Sequence, residues 1–287
     1  VSAPRRAGRS PGRRRKGGRR GRIRGWLRLP TRTTRRRWHR RWRGLPRWLQ
    51  GCLALLAIAL LWLVSNGIYQ VVRKPTELFF PISGVLRKHP AETWRAYAPL
   101  FRRHSTEVMT PDLLAALAQV EGAGDPLART YWRWELRRNP FSIYRPASSS
   151  VGMYQITDGT FAQARRYCIR DHVVAEQGAW NDWDACWFNS LYTRVIPSHA
   201  IELTSAYLDH RVSRTLARHP VAGVSLEARQ ELAAVIHLCG ASAGVRLARQ
   251  GLRLAPGRRC GTHDVRKYLD KIERHRARFR RLAAKDS

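Results

Sequence analysis

Between Arg47 and Arg73 no charged side chain appears for about 25 residues, enough helix to cross a lipid bilayer. The centre reads Leu53-Ala54-Leu55-Leu56-Ala57-Ile58-Ala59-Leu60-Leu61-Trp62-Leu63-Val64. Trp48 and Tyr69 flank it where aromatic rings prefer to sit, at head-group level. A buried core helix rarely runs so far without a charge, so residues 48–72 are read as a transmembrane signal anchor. The rival is a cleaved signal peptide. The basic region ahead of it is long for one, and no clear small-x-small cleavage site follows.

Charge reinforces this reading. The net charge of the 287-residue chain is +34, unevenly spread. No Asp or Glu precedes Glu77, while about twenty Lys and Arg fall between Val1 and Leu49. Runs such as Arg13-Arg14-Arg15-Lys16 and Arg35-Arg36-Arg37 repel themselves and offer no apolar face, so residues 1–47 read as a disordered basic arm. Such an arm can bind nucleic acid, lie on anionic lipids or set membrane topology. The apolar segment behind it favours the last two and leaves nucleic acid as the lesser reading. The positive-inside rule then predicts a cytoplasmic N-terminus and places residues 73–287 outside.

Cysteine placement agrees. Cys52 falls in the span, while Cys168, Cys186, Cys239 and Cys260 fall in the proposed external part. Four cysteines allow three connectivities. The local pairs Cys168–Cys186 and Cys239–Cys260 would close loops of roughly twenty residues, each contributing on the order of 3 kcal/mol in an oxidising compartment. Zinc is the alternative, but no C-x-x-C or H-x-x-x-H spacing supports it.

Residues 73–107 contain scattered prolines and mixed charge, and read as a stalk with a short helix near Ala91–Tyr97. From Thr110 helical signals dominate. Thr110-Pro111-Asp112 has a capping hydroxyl, a proline in the first turn and an acid at the positive end of the dipole. Apolar stripes follow at Ile201/Ser205/Leu208/Val212, at Leu232/Val235/Ile236/Cys239 and at Val265/Tyr268/Leu269/Ile272. Residues 108–280 thus predict a mainly α domain, large enough to bury a core.

Leu114, Leu117 and Glu121 lie at i, i+3 and i+7, on the face a globular helix buries. The helix then breaks at Gly122-Ala123-Gly124-Asp125-Pro126. A carboxyl group at the inner end of an apolar stripe is costly to charge, which suits a general acid; the bland reading points it into water from the last turn. A second segment, Ser148-Ser149-Ser150-Val151-Gly152-Met153-Tyr154-Gln155-Ile156-Thr157, joins a small-residue turn to an apolar stretch with embedded Gln and Tyr. Those side chains suit sugar hydroxyl and acetamido groups. A helix opening at Asp158-Gly159-Thr160 and running through Phe161, Ala164 and Tyr167 is expected next.

The order of these segments resembles SLT-type lytic transglycosylases of the lysozyme-like superfamily. Val120–Ala128 looks like the E-S-x-x-N-P-x-A box, Ser150–Ile156 like G-L-M-Q-I, His199–Leu208 like N-I-x-L-G-x-x-Y-L, and His263–Tyr268 like the closing E-T-x-x-Y segment. The match covers about 110–275, and four boxes in order are specific where each alone is not. The resemblance implies a lysozyme-like fold with Glu121 as catalytic acid. Gln155 and Tyr154 would line the saccharide groove, and the backbone around Ser150 and Gly152 would shape its floor. Glu202 would be structural. It also implies cleavage of the MurNAc–GlcNAc β-1,4 bond of peptidoglycan with 1,6-anhydro ring closure and no metal or organic cofactor. The setting would be the bacterial inner membrane, single-pass, with the catalytic domain periplasmic. A secretion or conjugation apparatus is a possible partner of such an enzyme.

The departures are specific. Gly122 stands where the family has Ser, and Tyr154 where it has Met. The A-Y-N-A-G box appears as His237-Leu238-Cys239-Gly240-Ala241, its Tyr lost, with His237 or Tyr154 as replacement candidates. The longer gap between the first two boxes holds Tyr131-Trp132-Arg133-Trp134 and Tyr144, read either as an aromatic extension of the glycan cleft or as a hydrophobic cap. Two further functions stay open: a muramidase-type hydrolase, and an inactive glycan-binding or scaffold domain.

Overall fold

The computed structural model describes residues 41–179, 181–182 and 185–286. The basic arm lies outside the described residues except for 41–47. The chain divides into two compact units, Val1–Leu63 and Val64–Ser287. Helix α1, Arg47–Arg73, begins in the first and ends in the second. It is 27 residues long, about 40 Å at 1.5 Å per residue. With mean hydropathy 2.1 over its most apolar stretch, it is the one helix among the described residues long and apolar enough to cross a membrane. Leu55, Leu61 and Val72 stand exposed along it.

The second unit is mostly helical. A 3-10 helix over Pro75–Ile82 follows α1, then α2 (Pro90–Arg103) and α3 (Pro111–Gly122). A hairpin of β1 (Trp132–Trp134) and β2 (Tyr144–Pro146) comes next, then α4 (Asp158–Ala164) and a second hairpin of β3 (Tyr167–Arg170) and β4 (Val173–Glu176). Helices α5 (Pro197–Arg218), α6 (Leu226–Cys239) and α7 (Ala241–Arg249) lead to the short β5 (Arg259–Cys260) and β6 (His263–Asp264), and α8 (Val265–Ala283) closes the chain. Each sheet has two antiparallel strands.

Helix α3 forms the centre. Leu113, Leu114, Ala115, Ala116, Leu117 and Ala118 are all buried, so this helix is packed on every side rather than along one stripe. Its main partner is α8, which contributes Tyr268, Leu269, Ile272 and Phe279 to the core. The three stripes read from the sequence are the buried faces of α5, α6 and α8. Gly240 ends α6 at φ 82°.

Three sequence expectations are corrected. Residues 73–107 are not a stalk. Trp94, Tyr97 and Phe101 of α2 belong to the core, and Trp94 Nε1 donates to Asp286 across the domain at 2.7 Å. The Thr110 hydroxyl does not cap α3; it accepts from Gln230 Nε2 at 3.2 Å. Tyr167 lies in β3, because α4 stops at Ala164. Both local cysteine pairs stand at disulfide distance, each with Cα atoms 5.5 Å apart.

Candidate active site

Helix α3 ends where Ala123 turns left-handed (φ 50°), which leaves Glu121 in the last turn. The turn 150–156 closes against it. Gly122 makes that approach possible: a Cβ there would stand 2.7 Å from the Met153 Cα and 2.9 Å from its carbonyl oxygen. A glycine at position 122 therefore has a steric reason. Asp125, fully buried, ties the helix break to the preceding segment by accepting from Leu127 N at 2.8 Å and from Gly84 N at 2.7 Å.

Glu121 keeps 18% of its side chain exposed. Its Oε1 accepts from the Tyr268 hydroxyl of α8 at 2.6 Å, and His237 Nε2 of α6 stands 3.7 Å from the same oxygen. Among the described residues no donor bonds Oε2. Burial, followed by the Glu121 charge and the hydrogen bond to it, pushes the Tyr268 phenol well above its ordinary range, so it remains a neutral donor. The carboxylate is thus held by one oxygen and free at the other.

Two hollows meet at this carboxyl group and share Val120, Glu121 and Lys271. The larger, about 470 Å³, reaches Arg259, His263, Asp264, Lys267 and Tyr268. The smaller, about 280 Å³, is walled by Ser83, Gly84, Arg87, Ala128, Arg129 and Gln155. Gln155 (φ 48°) is held left-handed, and its amide nitrogen donates to the carbonyls of Gly152 at 2.9 Å and Ala128 at 3.2 Å. Its amide oxygen is what remains for a ligand. Arg129 anchors this wall. It pairs with Glu77 of the 3-10 helix, both side chains buried, and its backbone N–H donates to Ser83 Oγ at 2.7 Å. Burial, and then the nearby Arg194, lower the Arg129 pKa to about 10.

The sequence candidates separate here. Gln155 shares a hollow with Glu121, and His237 stands beside Glu121 without lining either hollow. Ser150 and Gly152 act one step back: the Ser150 carbonyl accepts from Arg129 at 3.3 Å, and the Gly152 N–H donates to Ala128 at 2.9 Å. Gly152 (φ 80°) admits no Cβ, which would collide with the Arg194 carbonyl. Tyr154 is corrected. It is a core residue with no exposed surface, its hydroxyl spent on the Leu114 carbonyl at 3.1 Å. Tyr144 is also corrected; it stacks on Trp134 with ring centroids 4.6 Å apart and lines neither hollow. The site residue missed is Tyr268, which bonds Glu121 directly. Its signal was a phenol inside the apolar stripe of α8, where a buried hydroxyl needs a partner.

Glu202 on α5 is buried, as its structural reading requires. Its Oε1 accepts from Ile169 N at 3.1 Å and its Oε2 from Tyr192 at 2.8 Å, with His104 Nδ1 at 3.6 Å from Oε2. No protein-family model matches the chain, and comparison with curated proteins and with solved structures finds no match.

Proposed function

We propose that the second unit is a lysozyme-like peptidoglycan lytic transglycosylase, carried outside the cytoplasm by α1 as a single transmembrane anchor. The observation that carries the reading is the half-satisfied carboxyl group of Glu121, which lines both lobes of the groove with one oxygen held by Tyr268 and no donor on the other among the described residues. A groove that continues on both sides of an acid suits a polymer cut within its length. In the proposed reaction Glu121 protonates the glycosidic oxygen of a MurNAc–GlcNAc bond. The substrate's acetamido group stabilises the charge at C1. The Glu121 carboxylate then takes the C6 hydroxyl proton, and the 1,6-anhydro ring closes without water.

Two-carboxylate hydrolysis needs a second acid across the bond. The other acid of the groove, Asp264, caps α8 by accepting from Lys267 N at 3.0 Å, and Asp125 is wholly buried. This supports the lyase over a hydrolase of muramidase type. The length and composition of α1, the basic residues before it and two cysteine pairs suited to an oxidising compartment support an inner-membrane location. The experiment is sacculus solubilisation by the purified protein beside its Glu121→Gln variant. Loss of soluble fragments in the variant is expected; equal solubilisation rejects Glu121 as the catalytic acid and favours a binding or scaffold domain.

A further inference from the structure

The aromatic hairpin 131–146 contributes nothing to the lining of the Glu121 groove, and its surroundings point elsewhere. It is fastened to the last turns of α1. The side-chain amides of Asn66 and Gln70 donate to the Tyr144 carbonyl at 2.8 Å and the Phe141 carbonyl at 2.7 Å, and Tyr69 stacks on Phe141 at 5.2 Å. About 20 apolar residues cross the hydrocarbon layer, so a span starting at Trp48 reaches the far head groups near Gly67. The hairpin is attached at that level. It holds out Tyr131 (71% exposed), Trp134 (65%) and, at its tip, Leu136 (96%), an aromatic and aliphatic set unusual on a water-facing turn. Beside it lies a hollow of about 270 Å³ whose lining includes Arg73, Lys74, Arg137 and Arg145. Two acids answer these four cations: Glu135, bonded to both Arg137 and Arg145 at 2.6 Å, and Asp158, 3.3 Å from Lys74 and shared with Arg194. Positive charge is left over.

We propose that the β1–β2 hairpin lies in the outer head-group layer of the bilayer, with Tyr131, Trp134 and Leu136 inserted and an anionic phospholipid phosphate in the Arg73–Lys74–Arg137–Arg145 hollow. The proposal rests on α1 spanning the membrane.

The test uses the full chain with Cys52→Ala and both disulfides intact, reconstituted in phosphatidylcholine vesicles with or without phosphatidylglycerol. An environment-sensitive fluorophore is attached at Leu136→Cys or at Leu60→Cys, and quenchers are placed on lipids near the head group or deep in the acyl chain. The Leu136 probe is expected to shift to the blue and to lose about half its emission to the shallow quencher, as for groups seated at the head-group boundary. Phosphatidylglycerol should strengthen that loss, and the Arg73→Gln/Arg137→Gln pair should abolish the strengthening. Deep quenching at Leu60 without quenching at Leu136 keeps the span and overturns the hairpin proposal. Failure at Leu60 overturns the span reading itself. A Leu136 signal indifferent to phosphatidylglycerol overturns the phosphate site.

Discussion

Glu121 and Glu202 have nearly the same company and opposite fates. Each sits on a core helix, accepts from a tyrosine hydroxyl (2.6 Å from Tyr268, 2.8 Å from Tyr192) and has a histidine nitrogen within 3.7 Å. The Glu202 side chain is only 9% exposed, and Ile169 N–H takes the oxygen that Tyr192 leaves. Glu121 is twice as exposed, both neighbours crowd one oxygen, and its side chain lines the groove. A carboxylate whose valences are all met is a cross-brace; one left half-met beside space is available for chemistry. The difference is one backbone N–H.

The largest expected effect separates the two directly. Glu121→Gln should lower activity about 10³-fold, the scale of a general acid, with an unchanged melting curve. Glu202→Ala should do the reverse in kind. It strands the Tyr192 hydroxyl and the Ile169 N–H, costing about 2–3 kcal/mol in denaturant unfolding, while the folded fraction still cleaves. Tyr268→Phe comes next: removing a hydrogen bond to a charged group worth about 1.5–3 kcal/mol should slow turnover roughly 10- to 100-fold. A rate like the native protein's would reduce Tyr268 to packing.

A Gly122→Ala change should cost about 1–3 kcal/mol, since the turn at Met153 must back away. The displaced turn carries Gln155, so activity should fall with it. The smallest effect concerns pH. His104, His199, His210 and His275 are all held below the ordinary histidine range, first by burial. Their folded pKa values lie below the unfolded one, so on acidification the unfolded chain takes up protons that the folded one refuses. Stability should therefore fall as pH drops below about 6.5, readable as lower melting temperatures between about pH 7 and about pH 5.

Much of this was legible in the residues. The apolar segment and the helical stripes of α5, α6 and α8 follow from period and composition, whereas the local cysteine pairing was one of three connectivities the sequence left open. Glu121 and Gln155 were found from helical spacing and a motif order, and they line one hollow. What failed had physical causes. The wall formed by residues 75–84 has no periodicity, because a 3-10 helix with Pro81 inside presents no 3.6-residue stripe. Its buried Glu77–Arg129 pair joins positions too far apart for any local pattern to show. Tyr154 misled because a motif position says where the backbone goes, and here the φ 80° turn at Gly152 sends that side chain inward and Gln155 outward. Tyr268 was hidden by the opposite error: a residue counted as core whose hydroxyl reaches across to α3.

The most direct measurement is mass spectrometry of the fragments released from purified sacculi by the native protein. A carboxyl group working alone, giving its proton to the glycosidic oxygen and then taking one from the C6 hydroxyl, should leave 1,6-anhydro ends, and those products should fall about 10³-fold when Glu121 is Gln. Reducing ends from the native protein, or the same yield of fragments from the variant, would contradict the account.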